Sequence, residues 1–77
     1  MRTPITLQEF LFTLNQDEDM RVHIIDYKCD ERLYSGWKSC FLFDSSKSVM
    51  KYWFVQDFIT TQDGLEITIV ESEIELD

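Results

Sequence analysis

The sequence predicts an α+β fold: an N-terminal helix packed on a small, mostly antiparallel sheet of about four strands, ending in a β-hairpin. Three observations carry this reading. TLQEFLFTL has apolar residues at helical spacing, RVHIIDY and LEITIV have strand-like composition and alternation, and Asp63-Gly64 falls between two strand-like runs. The chain has 77 residues, enough for one small domain and not two, so residues 1–77 read as a single domain. A composition that is 44% hydrophobic and 14% aromatic supports a core and excludes wholesale disorder.

The helix is marked at its start. Thr6 is a good N-cap and Glu9 stands three residues on, which makes a capping box. Ile5 and Phe10 occupy the two positions of a hydrophobic staple. Leu7, Phe10, Leu11 and Leu14 follow the i, i+3, i+4, i+7 pattern, so one face is apolar; Phe12 lies off it. NQDED, residues 15–19, reads as a polar, solvated loop.

MRVHIIDYK reads as a strand with Val22 and Ile24 on one side and His23, Ile25 and Tyr27 on the other. CDER is a turn and LYSGW the returning strand, with Gly36 marking a bulge or the strand's end. CFLF is a short buried run that periodicity assigns equally to helix or strand, so residues 38–50 stay open. From Val49 onward YWFVQDFIT reads as a strand, with Trp53, Val55 and Ile59 on one parity and Tyr52, Phe54 and Phe58 on the other. TQDG is a hairpin turn, and LEITIV returns with Leu65, Ile67 and Ile69 together. Apolar residues then change parity near Val70 to Ser72, which means a bulge, a bend or the end of the paired strand. Residues 71–77 are therefore an acidic tail or a strand extension.

Charge separates the two ends of the chain. The formal net charge is −8. Residues 1–51 hold all seven bases and eight acids; residues 52–77 hold seven acids and no base. Net acidity argues against direct binding to nucleic acid and against an anionic membrane surface. It fits a partner with a basic face. Glu71, Glu73, Glu75 and Asp77 stand on alternate positions, so in an extended strand their carboxylates repeat about every 6.7 Å on one face. Phosphates along a nucleic-acid strand repeat on a similar scale. The plain alternatives are a solvated outer face, charges that guard an edge strand, or a frayed tail.

Motifs for chemistry are absent. One histidine, no CxxC and two cysteines without finger-like spacing give no metal site, and none is expected. Asp17, Glu18 and Asp19 lack the alternation and glycine of a calcium loop. His23 reads as a strand residue, no nucleophile elbow is present, and the two glycines do not form a phosphate loop. No catalytic residue and no cofactor are assigned, and the chain reads as a non-enzyme. Cys29 and Cys40 read as free thiols of a cytoplasmic protein, since no signal-peptide h-region or membrane-length apolar run occurs.

The succession TLQEFLFTL, RVHIID, LYSGW and FVQDFITTQDGLEITI resembles small acidic proteins of phages and mobile elements in Gram-positive bacteria. Those begin with a T-L-x-E-F-L helix, continue through V-x-I-x-D and L-Y-x-G strands, and close on a D-G hairpin. The resemblance spans most of residues 6–69; the aromatic-rich middle, WKSCFLFDSSKSVMKYW, departs from it. It implies a class that includes inhibitors of host defence, among them anti-CRISPR proteins and DNA mimics, and it transfers no functional residue.

The expected function is that of an acidic binding protein in the bacterial host cytoplasm, occupying the basic surface of a nucleic-acid-binding host protein such as a CRISPR-associated nuclease. The expected contact residues are Asp57, Asp63, Glu66, Glu71, Glu73, Glu75 and Asp77, with Trp53 as an apolar anchor. The alternative is an assembly module that forms a homodimer through the aromatic strand Tyr52 to Phe58, with the acids serving solubility.

Overall fold

A computed structural model of the chain describes residues 4–14, 19–44, 48–72 and 74. The elements in order are α1 (Leu7–Thr13), β1 (Arg21–Asp26), β2 (Glu31–Trp37), α2 (Lys38–Phe43), α3 (Ser48–Lys51), β3 (Phe54–Thr61) and β4 (Gly64–Val70). This is the α+β architecture that the sequence predicts, and the last two strands form the C-terminal hairpin.

The four strands lie in the order β2-β1-β4-β3. Both hairpins are antiparallel, and the two inner strands, β1 and β4, run parallel with Ile24 beside Ile67. The sheet is thus two hairpins joined along one parallel seam. Leu7, Phe10 and Leu11 of α1 and Phe41 of α2 pack on one face, against Val22, Ile24, Val55, Leu65, Ile67 and Ile69. Register places the alternate residues, Arg21, His23 and Ile25 of β1 and Glu66, Thr68 and Val70 of β4, on the opposite face.

α1 starts as its capping box dictates. Thr6 Oγ1 accepts from the Glu9 N–H at 3.2 Å, and Glu9 Oε1 accepts from the Thr6 N–H at 3.5 Å. The segment before it joins the sheet: Val55 N–H donates to Ile5 O and Leu7 N–H to Trp53 O, bridging Thr6 to Phe54 on the outer side of β3.

α2 resolves the ambiguity of CFLF in favour of a helix. Its cap comes from far away: Asp19 Oδ1 accepts from the Ser39 N–H at 3.1 Å, and its other oxygen accepts from the Ser39 hydroxyl. The helix inserts Phe41 into the core, tilted against Tyr34 at 5.0 Å between ring centres. Lys51 of α3 donates through Nζ to Leu42 O at 2.6 Å, satisfying a carbonyl in the last turn of α2. Asp19 therefore does more than line a solvated loop; Asn15 to Glu18 lie outside the described residues.

Two expectations for β3 need correction. The strand begins at Phe54; the single-turn helix α3 covers residues 48–51, and Tyr52 and Trp53 form the turn after it. Its parity also breaks, because a bulge at Gln56 shifts the register between Val55 and Asp57. Val55 and Phe58 consequently share the helix-covered face, paired with Ile69 and Ile67, while Asp57 and Ile59 pair with Thr68 and Glu66 on the other. The parity change near Val70 has a simpler cause: β4 ends there and the chain bends at Glu71 and Ser72. The turn of the first hairpin spans Tyr27–Asp30, two residues earlier than CDER suggests.

Candidate functional site: the helix-free face of the sheet

The helices cover one side of the sheet; on the other, Ile25 and Val70 are buried, while Arg21, Ser35, Trp37, Asp57 and Ile59 are exposed. Across β2 and β1 this face carries Trp37, Ser35 and Arg32, then Arg21, His23 and Ile25. Across β4 and β3 it carries Glu66 and Thr68, then Ile59 and Asp57. One half bears bases and the other acids. Arg21 lies over the Trp37 ring at 5.6 Å, and His23 Nδ1 meets Ser35 Oγ at 2.7 Å.

The acidic half is ordered by the β3–β4 pairing. Asp57 opposes Thr68, and Glu66 stands two residues back from Thr68, so the two acidic residues are diagonal neighbours, roughly 7–8 Å apart with their Cβ atoms somewhat closer. Asp57 Oδ1 accepts from the Phe58 N–H at 2.8 Å, which holds its carboxylate against the backbone. Asp63 sits in the two-residue turn at one end of the hairpin, and Glu71 follows β4 at the other. Glu73, Glu75 and Asp77 lie outside the described residues. The bulge is what puts Asp57 on the same face as Glu66.

Trp53, in the turn before β3, is half-buried and packs against the core. Trp37, 48% exposed, and Ile59, 55% exposed, are the apolar groups offered on this face. Sequence reasoning missed Trp37; its place in β2, two residues after Ser35, is the signal that could have found it.

Ser35, His23 and Glu66 occupy neighbouring strands and are the residue types of a nucleophilic triad. They lie on a sheet face, whereas a cavity of about 230 Å³ sits in the helical layer, lined by Leu11, Phe12, Asp19, Ser39, Leu42 and Phe43 among others. Nucleophilic chemistry needs an activated group in an enclosed site. Neither thiol provides one. Cys29 and Cys40 are free and exposed. The Glu31 backbone N–H favours the Cys29 thiolate, but desolvation and the carboxylates of Asp26 and Glu31 outweigh it and push the thiol above its ordinary value. Among the described residues no three His, Cys, Asp or Glu side chains are grouped to hold a metal ion. No helix among them is long and apolar enough to cross a membrane.

No family model, curated protein or solved structure gives a significant match to the chain.

Proposed function

We propose that the chain is a non-enzymatic acidic binding protein of a phage or mobile element. It acts in the host cytoplasm by docking the β3–β4 hairpin on the basic surface of a nucleic-acid-binding protein, with a CRISPR-associated nuclease as the leading candidate. One observation supports the reading above others. From Tyr52 onward the chain carries seven acids and no base, and the fold holds two of them, Asp57 and Glu66, side by side on the helix-free face. Asp63 and Glu71 extend that charge to both ends of the hairpin, and Ile59 supplies an exposed apolar contact between them. Carboxylates on a rigid hairpin offer a basic channel the sign and approximate pitch of charge that phosphates offer.

Such a complex is salt-sensitive. Binding to a purified candidate nuclease should be strong at about 50 mM salt and weak at about 500 mM, where the screening length falls to a few ångströms. The combined substitution Asp57→Asn, Glu66→Gln and Glu71→Gln should abolish both binding and inhibition of nucleic-acid cleavage. Unchanged affinity and inhibition in that variant would rule out the proposed surface.

A further inference from the structure

The helix-free face carries opposite charges on its two halves, row by row. One row across the strands holds Ser35, His23, Glu66 and Ile59, on β2, β1, β4 and β3 in turn. The next row begins with Arg32 on β2 and ends with Asp57 on β3. Each row has its basic group in the first hairpin and its acid in the second. Arg32 and Asp57 are exposed, as are Trp37 and Ile59, and His23 and Glu66 are half-buried.

One chain alone leaves these charges unmatched. β2 and β3 are the outermost of the four strands, so Arg32 and Asp57 stand about 14 Å apart at the backbone, too far for an ion pair. Among the described residues, no hydrogen bond or ion pair engages the side chain of Arg32 or of Glu66. The Asp57 carboxylate accepts from the neighbouring Phe58 N–H. His23 Nδ1 is taken by Ser35 Oγ, which leaves Nε2 to face a carboxylate. We infer that this face closes on the same face of a second copy of the chain, about a two-fold axis that runs along the strands between β1 and β4.

Charge selects both the occupant and the axis. Two identical sheets that meet face to face are related by a two-fold axis running either across the strands or along them. The axis across the strands lays each strand over itself, bases on bases and acids on acids. The axis along the strands lays β2 over β3 and β1 over β4, row upon row. Arg32 then faces Asp57 of the second copy and His23 faces its Glu66, and symmetry makes each pair twice. Ile59 faces Ser35 of the second copy, beside its Trp37, so the exposed apolar groups are covered together. Sheets packed in this way stand about 10 Å apart, a gap that side chains fill from both sides. A uniformly basic partner suits the second hairpin only, whereas a second copy matches both halves. The contact is small. Four strands by three rows cover roughly 400 Å² on each copy, about half the usual share of a stable interface. The net charge of −8 on each copy also opposes association. The dimer is therefore weak and reversible. It covers Asp57 and Glu66, so it competes with the basic partner proposed above and does not depend on it.

Charge exchange tests the pairing. Sedimentation equilibrium up to about 1 mM chain should show reversible dimerisation. Arg32→Asp and Asp57→Arg each set like charges opposite one another twice, and each should weaken the dimer about 100-fold or more. Asp57→Arg makes the chain less negative, so general repulsion does not account for its loss. An equal mixture of the two variants should associate about as well as the unaltered chain, because each supplies the charge that the other needs. The double variant should dimerise by itself for the same reason. Circular dichroism checks that every variant keeps its fold. Arg32→Asp should leave binding to a basic partner intact while Asp57→Arg weakens it, so the two readings fail separately. A chain that stays monomeric at about 1 mM, a dimer indifferent to Asp57→Arg, or two variants that stay apart when mixed would each overturn the inference. Binding to a basic protein without self-association would assign the face to that partner alone.

Discussion

The two hairpins contribute alike to the core and differ at the surface. Each gives its inner strand to the parallel seam, and each carries one bulge, at Leu33 in β2 and at Gln56 in β3. The first closes on a four-residue turn. There Asp26 accepts from the Lys28 N–H, and Asp30 takes a left-handed conformation with φ 56°. It carries Lys28, Arg32 and Arg21, and its outer strand is held to the helical layer by the Tyr34–Phe41 contact. The second closes on two residues, carries no base, and leaves half of its outer strand exposed. Packing does not require this division of charge, since the outer strands of both hairpins are largely exposed.

The strictest way to break that comparison is in the core, where the two should behave the same. Ile24 and Ile67 are fully buried and face each other across the seam. Ile24→Ala and Ile67→Ala should each cost about 2–5 kcal/mol, read by denaturant unfolding. That is a large part of the roughly 4–11 kcal/mol expected for a domain of this size. Unequal losses would mean that one hairpin folds around the other.

The glycines sharpen the difference. Gly64 has φ 140°, and a Cβ there would lie 2.1 Å from the Arg21 carbonyl oxygen, which is backbone. Gly64→Ala should cost about 3 kcal/mol or more, since strain and overpacking each contribute on the order of 1–3. Gly36 lies in β2, and the nearest atoms a Cβ there would meet all belong to the Tyr34 side chain, its hydroxyl at 2.8 Å. Tyr34 can move at the expense of its 2.9 Å bond to Trp37 O, so Gly36→Ala should cost about 1 kcal/mol. Thermal melts of the two variants would rank them directly.

Surface charge should separate stability from binding. Asp57→Asn with Glu66→Gln should leave stability within about 0.5 kcal/mol while weakening any complex with a basic partner. Arg32→Gln in the first hairpin should leave that complex intact. The smallest effect concerns pH. The Ser39 hydroxyl bonded to Asp19 is the main reason its carboxyl sits below the usual value of 3.8. A depressed folded value means the cap contributes fully above that usual value and is lost as pH falls through the lower one. Far-UV circular dichroism of an acid titration should show α2 loosening there, and Asp19→Ala should remove that transition.

Much of this is legible in the sequence where the cause is local. The capping box and the apolar stripe of α1 lie within nine residues, and the structure repeats both. The Asp-Gly turn and the alternation of β4 are equally short-range. What stays hidden has distant causes. CFLF becomes helical because Asp19, twenty positions before Ser39, caps it. The start of β3 is masked because Tyr52, Trp53 and Phe54 are apolar on both parities, so nothing in the pattern separates turn from strand. The bulge at Gln56 has no glycine to announce it. In the candidate site, the charge asymmetry is visible in composition, and the neighbourhood of Asp57 and Glu66 is not, because it depends on that bulge. The bond from the Leu7 N–H to the Trp53 carbonyl, which ties the start of α1 to the turn before β3, has no local signal either.

The parallel seam also orders events in time. Among the described strands β4 is the last to leave the ribosome, yet it lies in the middle of the sheet. Before it emerges, the first hairpin has no neighbour on its inner side, and β3 has only the short segment before α1 to pair with. The contact between Ile24 and Ile67 closes a loop of about forty residues, which sets a high entropic threshold for folding. The nascent chain therefore gains its sheet in one late step, and during that interval the exposed strand of β3 is open to any other strand that reaches it.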